Sequence, residues 1–296
     1  EEADMDTIKI HSGSTRMIAH RGLSGLETEN SIPAFVAAGN RSYYGVETDA
    51  HVTKDGRFVV IHDDTTGRVA REDVRVEESD YEAVRGIALK DMCPAAEAAQ
   101  DVCLEDRQDL IIPNLKEYST ICRKYGKTCV LELKNEFLPE DVKRLVEEIE
   151  DLGYLEHVVF ISFALNNMIR LRDLLPDQGL YYLTMEYNGE ILDTLKRYGL
   201  NLDIYYKALT KEIVEELVQA DITDRIKDIA SHGSEQPAAK PKHYDEVDLA
   251  QMSLFDTVRD DDVIEELKGL DLGNLTPIDA LNTLYQIQNK LKNRWG

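Results

Sequence analysis

Polar residues suited to acid–base or ligand chemistry recur where apolar runs end in the first half of this 296-residue sequence. MIAHRG sets His20, Arg21 and Gly22 behind one such run, and GVETDAHV places Glu47 and Asp49 two residues apart. VVIHDD carries His62, and VLELK repeats the two-residue spacing with Glu132 and Lys134. Residues two apart on an extended strand share a face, so each pair projects to one side. Three carboxylates meeting at one point repel one another unless a hard cation stands between them, and oxygen ligands without cysteine point to Mg2+ or Ca2+. Two histidines supply a proton acceptor and a donor near neutral pH. Arg21 and Lys134 suit phosphoryl oxygens. Each residue also has a plainer reading: solvated strand polarity for Glu47 and Asp49, a satisfied structural group for either histidine, a same-face ion pair for Glu132 and Lys134, and turn residues for Asp63 and Asp64. The order of the set, with each member closing an apolar strand, favours a site.

The elements that must position this set alternate. RMIAH, YYGVETDAHV, TCVLELK, HVVFISF, GLYYLTM and LDIYYKAL are rich in Val, Ile, Tyr and Leu and read as six strands. Between them SIPAFVAAGNR, NLKEYSTICRKYG, PEDVKRLVEEIEDLG, LNNMIRLRDLL and EILDTLKRYG carry helical periodicity, several closing on glycine. Repeated strand–helix units predict a parallel sheet with helices outside. The exception is AHVTKDGRFVVIHDD, where Asp55–Gly56 between two alternating runs predicts a hairpin that folds Phe58–His62 back beside the second strand. In such an α/β architecture, polar residues at strand C-terminal ends converge on one mouth.

A helix over TKEIVEELVQADITDR, Thr210 to Arg225, is the last element of this kind. SHGSEQPAAKPKHYDEVD comes next as a polar linker, and then RDDDVIEELKGL and TPIDALNTLYQIQNKLKNRW read as two helices with no strand between them. Thr276 is a natural N-cap, Pro277 suits the first helical position and Asp279 favours the positive helix end. The pattern predicts an α/β domain over 1–220, a linker over 221–248 and a small all-α tail over 249–296.

Composition bounds the function. Hydrophobic content of 43% and charged content of 31% are those of a globular protein. A net charge of −23 argues against direct binding of nucleic acid, whose phosphates would be repelled. No apolar run reaches the roughly 18 residues of a membrane span, and the acidic opening EEADMDTIKI predicts no signal peptide. Cys93, Cys103, Cys122 and Cys129 form no CxxC pair, so free thiols in a reducing cytoplasm are expected.

The ordered set resembles the glycerophosphodiester phosphodiesterase family, on AHRGLSGLETENSIPAF, GVETDAHVTKDGRFVVIHDDTTGRV, VLELK and FISF, over about Met17 to Leu217. The resemblance implies a TIM barrel that hydrolyses glycerophosphodiesters to glycerol 3-phosphate and an alcohol with a divalent metal. It implies Glu47, Asp49 and Glu132 as metal ligands and His20 and His62 as the general acid–base pair. Arg21 and Lys134 would hold the phosphate, with Glu29 and Asn30 shaping the pocket. Family members continue past the sixth strand and its helix with two more strands, one bearing a Trp-Thr-x-Asn-like segment. Neither is found here, where the single tryptophan is Trp295. The expectation is therefore a TIM-barrel-like domain lacking its last two strands, with impaired turnover.

ADITDRIKDIA, EVDLAQMSLFDTV and LTPIDALNTLYQIQNKLKNRW resemble the C-terminal end of the mismatch-repair ATPase MutS over about Lys211 to Trp295. Gln251, Met252, Leu254 and Phe255 match a peptide that inserts into a sliding-clamp groove. No GxxxxGK[ST] loop accompanies them. This resemblance implies an interaction module whose partner would be a sliding clamp. KEIVEEL fits both families, which makes it the plausible crossover of a chimeric chain; a non-functional fusion is the third reading.

Overall fold

The computed structural model describes residues 6–10, 13, 15–92, 107–220 and 222. The chain divides into two compact units, Glu1–Asp228 and Ile229–Gly296, and every described strand and helix belongs to the first. Gln251, Met252, Leu254 and Phe255, the tail helices, Cys93 and Cys103 lie outside the described residues, as does the linker apart from Ile222.

Seven strands form one sheet: β1 (Ile18–Ala19), β2 (Gly45–Val52), β3 (Phe58–Val60), β4 (Thr128–Leu133), β5 (Val158–Ser162), β6 (Leu180–Thr184) and β7 (Asn201–Ile204). Six run parallel in the order β1-β2-β4-β5-β6-β7, and β3 pairs antiparallel with β2 across the expected hairpin turn. Helices α1 (Ile32–Gly39), α3 (Leu115–Lys124), α4 (Pro139–Asp151), α5 (Leu165–Leu174), α6 (Gly189–Tyr198) and α7 (Lys211–Gln219) connect or follow the strands, and a short α2 (Tyr81–Arg85) belongs to the excursion after β3. This is the β/α-barrel plan with six parallel strands among the described residues, ending at β1 and β7.

Strand alternation builds two apolar layers. Leu131, Leu133, Phe160 and Leu180 face one way and share a core with Phe35, Tyr118, Leu145, Ile149, Met168 and Leu171 from the helices. Val130, Ile161, Tyr181 and Leu183 face the other way and form a second cluster. Strands covered on both faces must be apolar on both, so the acids on β2 and β4 stand out as polar residues in buried positions. Local signals set the helix starts. Ser31 accepts a hydrogen bond from the Ala34 N–H, Asn114 and Glu117 form a reciprocal capping box, and Asn188 caps α6. Gly199, at φ +60°, ends α6 in the left-handed conformation.

The last two expected elements of the α/β unit are shorter than their sequence patterns. LDIYYKAL supplies only its first three residues to the strand Asn201–Ile204; Tyr206–Ala208 turns into a 3-10 helix, because the Tyr205 N–H makes the last pairing bond, to the Thr184 carbonyl at 3.1 Å. The helix begun by Thr210 ends at Gln219 rather than running to Arg225. The Ala220 N–H bonds to Glu216 O and the Ile222 N–H to Leu217 O, each at 3.0 Å, which closes the helix where Asp221 and Thr223, weak helix formers, come next in the chain. The segment between β3 and α3 carries no long periodicity. It is held instead by isolated bridges such as Thr65 with Arg75 and Ala70 with Leu89, over a separate cluster that includes Ile61, Val76, Tyr81 and Ile112. Cys122 and Cys129 are free and buried.

Gly22 tests the junction between β1 and the site. Its φ is +76°, and a Cβ there would stand 2.7 Å from the Ala34 carbonyl carbon on α1. Gly22→Ala is expected to destabilise the fold by about 2–4 kcal/mol, from backbone strain plus overpacking, measured as a lower urea midpoint at unchanged slope.

Candidate active site

Parallel register brings the three acids together. Asp49 on β2 stands opposite Glu132 on β4, and Glu47 stands opposite Val130, one repeat earlier on the same face. One ligand oxygen from each of Glu47, Asp49 and Glu132 lies within 4.8 Å of the others, and all three residues are buried. Asp49 Oδ1 and Glu132 Oε1 have no hydrogen-bond donor, although Lys134 Nζ stands 3.5 and 3.1 Å from them. Two buried acceptors without donors, in an all-oxygen set, are what a hard divalent cation would satisfy. The residues fit such an ion.

Two further oxygens of the trio are held by the turn after β1. The Arg21 backbone N–H donates to Glu47 Oε2 at 2.8 Å, and Asn30 Nδ2 donates to Asp49 Oδ2 at 2.7 Å. Thr48, on the opposite side of the strand from the acids, donates through Oγ1 to Asn30 Oδ1 and so fixes the direction of that amide. Arg21 and Asn30 both adopt positive φ, +52° and +50°, and the Asn30 N–H closes onto the Arg21 carbonyl at 3.0 Å. Non-glycine residues rarely hold that conformation, and when they do the surroundings must enforce it.

Burial, then the charges of Asp49 and Glu132, pushes the Glu47 carboxyl well above its ordinary range. Glu132 is raised as well, mainly by burial. Asp49 goes the opposite way: burial opposes its ionisation, but Lys134, His62 and Arg21 with the Asn30 hydrogen bond outweigh it and hold it far down. Lys134 is kept firmly charged, since Asp49 and Glu132 overcome the cost of burying it.

His20 follows β1 directly, its Nε2 3.8 Å from Glu47 Oε2 and without a hydrogen-bond partner. Burial and the Arg21 charge drive it down to about 3, so at neutral pH the ring is an uncharged imidazole with proton-accepting capacity. His62, just past β3, is buried with Nδ1 2.6 Å from Asp63 Oδ1. It adds to the electrostatic environment of both His20 and Asp49. Arg21 Nη1 donates to Glu29 Oε1 at 3.1 Å. His20, Arg21, Glu29, Asn30, Glu47, Asp49, His62, Glu132 and Lys134 thus gather at one end of the sheet, whereas the clamp-peptide residues lie outside the described residues.

Sequence reasoning missed the layer behind them. Asp63, read as a turn residue, is the partner of His62, and Arg68 bonds both Asp63 and Glu29. His51, fully buried, donates from Nε2 to the His62 carbonyl at 3.1 Å, with Glu77 Oε1 3.2 Å from its Nδ1. His51 shares the two-residue repeat of Glu47 and Asp49, which could have flagged it. Arg68 and Glu77 have no periodic signal, being placed by the irregular excursion.

The model of the Glycerophosphoryl diester phosphodiesterase family matches residues 20–235, and that of the DNA mismatch repair protein MutS C-terminal region matches 258–290. A glycerophosphodiester phosphodiesterase of Bacillus altitudinis is 29% identical over 210 residues, 69% of this chain and 81% of that one. The DNA mismatch repair protein MutS of Acetivibrio thermocellus is 40% identical over 82 residues, 28% of this chain and 8% of its own. A phosphodiesterase of Oleispira antarctica, solved with the product sn-glycerol-3-phosphate, superposes at a TM-score of 0.59 with 23% identity, covering 69% of this chain and 81% of that one. At that identity the superposition speaks for the fold.

Burial would raise Glu29, but the Arg68 hydrogen bond and the Arg21 and Arg68 charges hold it at about 2, below its ordinary 4.5. A depressed folded value means stability present above about 4.5 and lost as pH falls towards 2. Glu29→Gln is expected to cost about 1–3 kcal/mol at pH 7. The gap from the parent chain should narrow as melts are repeated at successively lower pH.

Proposed function

The chain belongs to the glycerophosphoryl diester phosphodiesterase family over residues 20–235, and on that premise we propose that its α/β unit hydrolyses glycerophosphodiesters to glycerol 3-phosphate and an alcohol. The observation that carries the reading is the buried trio of Glu47, Asp49 and Glu132, within 4.8 Å of one another and flanked by Lys134 and Arg21. Glu47, Asp49 and Glu132 would hold a divalent cation, Mg2+ or Ca2+. Bound there, that ion offsets the negative charge of the phosphodiester and of the trio itself. Arg21 and Lys134 are the fixed cations that orient phosphoryl oxygens. His20, an uncharged imidazole, takes the proton of the attacking water as its oxygen bonds to phosphorus. His62, with Nδ1 turned to Asp63, gives a proton to the departing alkoxide as the phosphorus–oxygen bond breaks. Asn30 and Glu29 hold Asp49 and Arg21 in place.

The same trio makes metal binding measurable without turnover. At a hundredfold excess over Kd, Mg2+ or Ca2+ should raise the melting temperature by roughly 5–10 °C. Glu132→Gln should abolish the rise while leaving the metal-free protein as stable or more so, because one repelling charge is gone. An unchanged melt in both ions would remove the metal assignment.

Glycerol 3-phosphate release from glycerophosphocholine tests the reaction itself. Slow, metal-dependent release is expected from a chain whose sequence departs from the family plan after the sixth parallel strand, with His20→Ala and His62→Ala each lowering it about 10²–10⁴-fold.

A second reading concerns the match of residues 258–290 to the MutS C-terminal region. On it the tail is a protein-interaction module, and Gln251, Met252, Leu254 and Phe255 form its clamp-binding peptide. Binding to a bacterial sliding clamp that is lost in Phe255→Ala supports this reading; no binding by the parent chain defeats it.

A further inference from the structure

Arg68 stands between the two halves of the site. Its Nη1 and Nη2 donate to Glu29 Oε2 and Oε1, each at 2.8 Å, while Nε and Nη2 donate to Asp63 Oδ2 and Oδ1 at 2.6 and 3.1 Å. One planar guanidinium is therefore bidentate to two carboxylates at once. An ammonium, which presents a single point charge, cannot span both. Beyond Asp63 lies His62, whose Nδ1 is 2.6 Å from Asp63 Oδ1. Beyond Glu29 lies Arg21, whose Nη1 donates to Glu29 Oε1 at 3.1 Å.

We propose that Arg68 is a positioning residue that ties the proton-transferring His62 to the phosphate-holding Arg21, through Asp63 on one side and Glu29 on the other. The roles of those two end residues rest on the phosphodiesterase reading; the linkage itself rests on the hydrogen bonds.

Each arm has a physical consequence. A carboxylate saturated by a guanidinium is ionised and only accepts, so the His62 nitrogen that faces Asp63 must carry the hydrogen. That fixes a hydrogen on Nδ1 and turns Nε2 to the substrate, where it gives a proton to the departing alkoxide once it too is protonated, the same logic by which a buried acid orients a catalytic imidazole and stabilises its imidazolium. On the other arm, Arg21 sits on a strained turn at φ +52°, and its backbone is held by Glu47. Its guanidinium still needs an anchor that is not the substrate. Glu29 provides one, and Arg68 keeps Glu29 flat and charged. Without Arg68, Glu29 keeps Arg21 and Asp63 keeps His62, but the fork that joins the two carboxylates is gone, and the two ends of the site are free to move independently. A displacement of about 1 Å in a reacting group can cost around a hundredfold in rate.

The test compares Arg68→Met, which keeps the aliphatic stem, with Arg68→Lys, which keeps the charge but not the fork. Nitrogen-15 spectra of the His62 ring read its tautomer directly and require neither metal nor turnover. The parent chain should show Nδ1–H predominant and both variants a mixture. With glycerophosphocholine, kcat should fall about a hundredfold, and KM should rise about tenfold as Arg21 loses its fixed direction. Should the parent chain show no turnover, the phosphodiesterase reading fails while the ring spectra still decide the linkage. A His62 spectrum unchanged in Arg68→Met overturns the proposal, as does full recovery in Arg68→Lys. Where Arg68→Met does not fold, the Arg68→Lys spectrum decides alone.

Discussion

Mutual repulsion among Glu47, Asp49 and Glu132 is the constraint around which the α/β unit is organised. With oxygens no more than 4.8 Å apart, each ionised pair costs about 3 kcal/mol or more at an effective dielectric of 20, and burial adds to that. The protein answers in three ways. It places Lys134 on the same strand as Glu132, two residues on, so that one side chain reaches both Asp49 and Glu132. It turns the chain after β1 so that the Arg21 N–H meets Glu47. It leaves Glu47 and Glu132 with a raised affinity for protons, a charge deficit of the kind a divalent cation relieves.

Every group in that arrangement comes from one end of the sheet. β1, β2, β3 and β4 are neighbours through direct pairing, and residues on β2 and β4 together with those that follow β1, β3 and β4 make the trio, both histidines and both cations. β7, the other end of the path, contributes none of them. The two strands by which the sequence departs from the family plan would come after β7, so that departure falls on the far wall and not on the ligand set. Parallel pairing is local: the register of β2 against β4 is set by bonds from Gly45 to Ala50, which need nothing from β7.

Strain concentrates where this end is assembled. Arg21 and Asn30 are the described non-glycine residues at positive φ, and both bond the acids, one through its backbone and one through its amide. Thr48 then locks Asn30 from the outer face of β2. Asp49 is thus held by the side chains of Asn30 and Thr48 in series, and Glu47 by the backbone of Arg21.

Much of this was legible because the period of a strand is two and the period of a helix is 3.6. Glu47 with Asp49 and Glu132 with Lys134 share faces by that rule alone, and the six parallel strands follow from alternating apolar runs. The helix ends at Gly199, Ser31 and Asn114 are local signals, readable from a few neighbouring residues. The stops at Ile204 and Gln219 were not, since pattern continues past them and only hydrogen-bond closure ends the element. Arg68 and Glu77 were invisible for a related reason. Their partners lie across an irregular excursion with no repeat, so that Arg68 reaches Glu29, 39 residues away, by tertiary packing. Sequence alone determined which residues carry charge and on which face of a strand they stand. Tertiary structure decided which of those charges meet, because distance in space across a parallel sheet is set by register and turn geometry rather than by separation along the chain.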